Sequence, residues 1–169
     1  MIDALTMEMI RYYSGDANRI QHFTKVHSYA RLIAVGEQLS EELQFITEVA
    51  AIVHDIGIRV CEQKYGECGG KLQEKEGPML AEDMLDRLGF APDVIERVSF
   101  LVGHHHTYDN IYGRDYQILV EADFLVNFYE EGLSKEAIRP VFEKIFRTET
   151  GKDICRAMFG LNGGSSGNK

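Results

Sequence analysis

Four polar residues fall where a helix would turn them inward. His27 lies four residues after Phe23 and three before Ala30. His54 lies four after Ala50 and is followed directly by Asp55, at the end of an apolar run. Asp123 lies four after Leu119 and three before Val126. Residues three and four apart share a helix face, so each polar group shares its face with core residues. A buried carboxylate is costly unless it is paired or binds a cation. Two imidazoles and two carboxylates on inward faces could share one divalent ion. Blander readings stand beside this one. An inward histidine can be a hydrogen-bonded core residue, and a lone aspartate can be a cap or an ion-pair partner. A His-Asp pair at a helix end can be a dipole-favoured histidine with a solvated neighbour. Spacing alone leaves these alternatives open.

The segment GHHHTY adds His104, His105 and His106, and Glu76 precedes Gly77-Pro78. Phosphate binding would need cations. Lys64, Lys71 and Lys75 lie in a glycine-containing stretch, Arg31 follows His27 by one turn, and Arg114 follows the histidines. Arg31 and Lys71 are the candidates for substrate contact. Tyr108 and Tyr112 could flank a planar group.

The elements that must position these residues read as helices. Apolar periodicity predicts helices near 17–39, 41–56, 78–88, 92–103 and 116–130. Asp16 is a candidate N-cap, and Ser40 precedes Glu41 and Glu42 in a first turn. Pro78 and Pro92 suit first helical positions. Ser134 caps a further helix, and Thr150 with Asp153 resembles a capping box. The stretch from about Arg59 to Glu76 reads as irregular and long, hence mobile or functional. The expected class is all-α: one domain over 1–160, its motif-bearing core at about 20–130, and a tail over 161–169 that is flexible by composition.

Composition narrows the function. The chain has 169 residues, 44% of them apolar, and a formal net charge of −9. A net acidic surface disfavours broad phosphate-backbone binding, so no nucleic-acid partner is expected. No run approaches the roughly 18 apolar residues a membrane span needs, so no membrane partner is expected either. The opening residues carry no signal-peptide pattern. Cys61, Cys68 and Cys155 form neither a disulfide framework nor a C-x-x-C site. Reduced thiols in a cytoplasm fit this usage.

The run VAAIVHDIG, holding His54-Asp55-Ile56-Gly57, resembles the HD superfamily of metal-dependent phosphohydrolases, in its HDIG subgroup. That superfamily's pattern is a histidine, a His-Asp pair and a later aspartate on separate helices. His27 in KVHSYARLIA fits the first position, His54-Asp55 the pair, and Asp123 in LVEADFLVN the last. The resemblance implies a helical bundle in which His27, His54, Asp55 and Asp123 hold a divalent ion. His22, more than a turn before His27, is expected to play no part. Such mixed ligands suit Mn, Fe, Co, Ni or Zn, with Mg also admitted. The implied activity is hydrolysis of a small, nucleotide-like phosphate ester by a metal-activated water, with Asp55, His104 and His105 as catalytic residues. Two-metal members carry a His-His pair followed by Gly-Thr. His104-His105 would be that pair, with His106 in place of the glycine, and Glu76 stands where those members carry a histidine. Glu76, His104 and His105 are therefore the candidate second site. Two alternatives are a di-iron oxygenase of the same fold and a non-catalytic metal-binding regulatory module. Oligomeric state stays open.

Overall fold

A computed structural model of the chain describes residues 1–161. Among these, nine helices and no strand occur: α1 (Ile2–Tyr12), α2 (Ala17–Gly36), α3 (Glu41–Val53), α4 (Ile58–Tyr65), α5 (Gly70–Arg87), α6 (Pro92–Val102), α7 (Arg114–Glu130), α8 (Lys135–Ile145) and α9 (Glu149–Phe159). The all-α expectation holds. Among the described residues no helix is long and apolar enough to cross a membrane.

Four helix starts are capped by side chains. Asp16 accepts from the Arg19 amide at 3.1 Å, Ser40 from Leu43, Ser134 from Ala137 and Thr148 from Gly151. Each cap contributes about 1 kcal/mol. The last cap is Thr148 rather than Thr150, which places α9 slightly earlier than the sequence suggests.

At the centre, α2 packs on α3 and α7, while α3 also meets α6 and α7. The faces that meet are apolar and buried: Phe23, Val26, Ala30 and Ile33 from α2, Val49, Ala50 and Val53 from α3, and Leu119, Ala122 and Val126 from α7. Each fully buried Leu, Ile, Val or Phe side chain contributes about 1.5–3 kcal/mol. A few of them offset the several kcal/mol that a buried ionised group costs. His54 and Asp123 are set into this wall.

The structure corrects the sequence reading in three places. The stretch 59–76 is mostly helical, because α4 and the first half of α5 occupy it and only 66–69 connects them. Pro78 lies inside α5 rather than at its start. Close packing sustains the helix there. A Cβ on Gly57 would come within 3.0 Å of the Gly77 amide nitrogen, so α5 crosses the start of α4 nearly in backbone contact. Finally, Leu161 is buried at 4% exposure, so it belongs to the core and not to the tail. The remaining tail positions, 162–169, lie outside the described residues. The helix α1 had no counterpart in the sequence reading; its Leu5 and Met9 are fully buried, and it packs chiefly on α3.

Candidate metal centre

Three histidines arrive at one place with the same local wiring. The His54 Nδ1–H donates to the Ala51 carbonyl at 2.9 Å. The His105 Nδ1–H donates to the Val102 carbonyl at 2.8 Å. His22 Nδ1 pairs with Glu130 Oε2 at 2.8 Å. Carbonyl and carboxylate oxygens only accept, so each Nδ1 carries the hydrogen. In the neutral ring that leaves Nε2 bare. A hydrogen bond of this kind fixes tautomer and aim in metal-ligating histidines.

The three Nε2 atoms face two carboxylates. His22 Nε2 lies 3.2 Å from Asp123 Oδ1 and 3.4 Å from Asp55 Oδ2. His54 Nε2 lies 3.4 Å from Asp55 Oδ2 and 3.6 Å from Asp123 Oδ1. His105 Nε2 lies 3.4 Å from the other oxygen of Asp55, Oδ1. It is buried and has no hydrogen-bond partner among the described residues. Asp55 thus stands between two groups, His22–His54–Asp123 on one side and His105–His106 on the other. In each group, Asp55 included in the second, the candidate ligand atoms lie within 4.8 Å of one another.

Charge accounts for the proton affinities. Burial disfavours the charged form of His54, but Asp55 and Asp123 outweigh it and hold the imidazole well above its ordinary pKa. His22 is raised in the same way, burial opposing and Asp123 prevailing. Burial likewise works against the charge of Asp55 and Asp123, yet their histidine neighbours keep both well below the usual carboxylate range. The protonated imidazoles and ionised carboxylates pair off, as two anions in an apolar wall must. His106 behaves in the opposite way. Burial, and then the charge of His105, push it down to about 4, so at neutral pH it is an uncharged base. Its Nε2 faces Gln73 Oε1 at 3.1 Å.

Several anticipated residues lie elsewhere. His27 does not join the cluster; its Nε2 faces Glu48 Oε2 at 2.9 Å. His22 takes its place, correcting the expectation that His22 plays no part. The sequence held a signal for this: His22 lies four before Val26 and eleven before Ile33, both fully buried. Arg31 follows His27, 3.8 Å from Glu48, away from the histidines. Glu76 is held by Lys64 at 2.5 Å and by the Tyr65 hydroxyl at 2.8 Å. It is not grouped with His105. His104 turns away, its Nδ1 bonded to the Phe100 carbonyl at 2.7 Å and its ring stacked on Phe100 at 4.1 Å. The second group is therefore Asp55, His105 and His106, in place of Glu76, His104 and His105. A Cβ on Gly70 would meet the His106 ring at 2.8 Å, so that glycine is what lets the ring sit there.

The cluster opens to solvent through a cleft of about 320 Å³ whose lining includes His22, Asp55, His106, Asp123, Asn127 and Arg19. A neighbouring cleft of about 430 Å³ shares His106 and adds Lys71, Lys144, Thr107 and Tyr108. Lys71 thus lines a cleft with His106, one cleft over from the first group. Lys75 stays with Glu76 and Tyr65, and Arg114 with Glu37.

Comparison with known proteins bears on the fold and the family. No curated protein matches the chain. A crystal structure at 1.45 Å of a protein described as a predicted HD superfamily hydrolase, from an uncultured Thermotogales bacterium, superposes with a TM-score of 0.64. The two are 26% identical, over 95% of this chain and 84% of that one. The family model for the HD domain matches residues 19–156. The region matched holds every residue of both His/Asp groups, and the chain belongs to the HD domain family.

Proposed function

We propose that this protein is a metal-dependent phosphohydrolase that cleaves a small phosphate ester of nucleotide type. The observation that carries the reading is the wiring of the three histidines. His22, His54 and His105 each spend Nδ1 on an outer acceptor and aim Nε2 at Asp55 or Asp123. The buried, unpartnered Nε2 of His105 and the two ionised carboxylates fit a cation better than any protein partner present. His22, His54, Asp55 and Asp123 would hold a first divalent ion, and Asp55, His105 and His106 a second. A divalent ion there supplies Lewis acidity, which activates water and offsets charge on a phosphoryl group.

The chain's own residues do the rest. Asp55, ionised and reaching both groups, is the acceptor placed to orient a water at the cleft floor. His105, buried beside Asp55 and outside the lining of either cleft, keeps its role through the second ion's ligand set; His104 drops out. Lys71 with Lys144 at the adjoining cleft are the cations that would take a phosphate or its distal neighbour, whereas Arg19 at the main cleft is paired with Asp16 and Glu62 and would have to exchange a carboxylate for it. Arg31, beside Glu48, is not part of this reading. The net charge of −9 argues for a small substrate over nucleic acid.

The test is a screen of nucleotides and phosphate esters with protein loaded with Mn, Co, Ni, Zn, Fe or Mg, run in ¹⁸O-labelled water. Labelled phosphate product that disappears in folded Asp55→Ala protein is the expected result. Bound iron with oxygen consumption would replace this reading by the di-iron oxygenase. Absence of any bound metal would replace it by the regulatory module.

A further inference from the structure

The helix α1 precedes residue 19, where the match to the HD domain begins, yet two hydroxyls from its C-terminal end reach the turn that carries Asp55. The Tyr13 hydroxyl donates to the Asp55 carbonyl at 2.6 Å. The Tyr12 hydroxyl donates to the Ile56 carbonyl at 3.2 Å.

Few backbone hydrogen bonds hold that turn, beside the close approach of Gly57 to Gly77 of α5. Between the end of α3 at Val53 and the start of α4 at Ile58, its backbone bonds are Ile56 N–H to Val53 at 2.9 Å, Ile58 N–H to Asp55 at 3.1 Å and Cys61 N–H to Gly57 at 3.0 Å. Asp55 must serve two groups at once through Oδ1 and Oδ2. A small rotation of its peptide plane would swing both oxygens together. A carbonyl fixed from the side opposes that rotation.

The brace is itself fixed. Tyr13 is 2% exposed, and its ring meets Tyr12 edge-on at 4.9 Å. Arg19 lies over Tyr13 at 5.7 Å and Arg59 over Tyr12 at 5.9 Å. Arg59 also donates to the Tyr12 carbonyl. Burial, with Asp55 adding to it, raises the Tyr13 hydroxyl above its ordinary pKa, so it stays a donor.

We infer that Tyr13 is a positioning residue for the metal centre: its hydroxyl fixes the Asp55 carbonyl, and thereby the aim of the carboxylate shared by the two groups, with Tyr12 doing the same one residue on. The inference rests on the reading of Asp55 as a metal ligand. Outer partners of this kind typically change metal affinity by about 10–100-fold.

The experiment compares Tyr13→Phe, Tyr12→Phe and the double variant with wild type. It measures Co²⁺ affinity by calorimetry, the visible Co²⁺ spectrum and the melting temperature of metal-free protein. Phenylalanine keeps the buried ring and removes only the hydroxyl. Leu5→Val is the control, since it loosens α1 without touching the turn. Tyr13→Phe is expected to weaken Co²⁺ binding about 10-fold and to shift its spectrum, with a further loss in the double variant. Leu5→Val is expected to lower the melting temperature and leave affinity unchanged. Wild-type affinity in the double variant, or an equal loss in Leu5→Val, overturns the positioning role while leaving the site intact. A wild type that binds no Co²⁺ overturns the site, and this inference with it.

Discussion

Helix α2 presents two histidines to two carboxylate settings, five residues apart, and they come out as different chemistry. His27 meets Glu48 of the adjacent α3. That carboxylate is already bonded to Gln44 at 2.8 Å and has Arg31 at 3.8 Å. The result is a local pair in which each Glu48 oxygen already accepts from a neighbour. His22 meets groups from α3's end and from α7, with a third carboxylate, Glu130, behind it. There the acceptors outnumber the donors, and imidazoles crowd one another: His22 and His54 Nε2 lie only 3.3 Å apart. Two imidazole nitrogens that close, both aimed at carboxylates, need a cation between them or protons upon them. A histidine beside a carboxylate is therefore not the mark of a metal centre. Convergence from separate helices, with Nδ1 already engaged, is.

The largest test of that contrast exchanges the two histidines' fates. His22→Ala is expected to weaken divalent-metal binding by more than about 100-fold, the upper end for loss of a mere outer partner. Hydrolysis should fall with it. His27→Ala should leave metal content as in wild type. Metal analysis after dialysis checks both, and the reverse pattern would return the ligand position to His27.

A smaller contrast separates the neighbours His104 and His105. His105→Ala is expected to lower bound metal from about two ions per chain to one, or, if wild type binds one ion, to lower turnover about 100-fold through loss of a proton-handling group. His104→Ala should do neither, because its ring is committed to Phe100. Equal effects from both would dissolve the second group.

Glu130 tests the outer wiring. It is bonded to His22 Nδ1 at 2.8 Å and to Lys25 Nζ at 2.7 Å. Glu130→Gln keeps the shape and removes the charge that favours Nδ1–H. Metal affinity should fall about 10-fold, measurable by calorimetry. Unchanged affinity would make Glu130 only a surface ion-pair partner of Lys25.

The way these sites were hidden or visible in the sequence follows from range. His54, Asp55 and Asp123 were legible because each ends or interrupts an apolar helical run, and the structure brings them together. The first histidine was misplaced by one and a half turns. Both His22 and His27 satisfy helical spacing to buried residues, and only packing against α3 and α7 separates them. The second group was illegible for a related reason. Three consecutive histidines in a turn point three ways, and the choice is made by Phe100, Val102 and Gln73, which come from two different helices. Glycines misled twice. Gly69 and Gly70 suggested a loop but start α5, with Gly70 making room for His106. Helix α1 carried no chemistry-bearing pattern, since its contribution is two tyrosine hydroxyls spent on backbone carbonyls.

Proton linkage sharpens the contrast further. His22 and His54 are raised above the ordinary 6.5 in the folded, metal-free protein. A raised group stabilises fully below 6.5 and loses that contribution as pH climbs through its folded value. Asp55 and Asp123 are depressed from 3.8, so their contribution is present above that pH and lost only as pH falls. His106, pushed down to about 4, subtracts stability only below 6.5. Above 6.5 the two raised histidines therefore govern. Metal-free protein should lose stability as pH rises above 6.5, by at most about 1.4 kcal/mol per pH unit for each histidine. With metal bound the trend should reverse, because the ion takes the protons' place. Melting temperatures with chelator and with Mn²⁺ across this range check it; parallel curves would show that the ion does not bind at these histidines.

The smallest expected effect belongs to the other end of α2. His27→Gln replaces a ring facing Glu48 by an amide that can still donate to it. Glu48 keeps its bond from Gln44, so it is not stranded as a buried, unsatisfied charge. The change trades one hydrogen bond to a charged group for another of different geometry, while Glu48 keeps its second partner, which costs at most about 1 kcal/mol. Nothing in the cluster touches this pair, so metal content and turnover should equal wild type. Denaturant unfolding of the metal-free variant measures the stability change, and calorimetry with Mn²⁺ measures the rest. A variant with normal stability but weakened metal binding would mean that the Glu48 setting communicates with the centre along α2. The two histidine settings of that helix would then be one system rather than two.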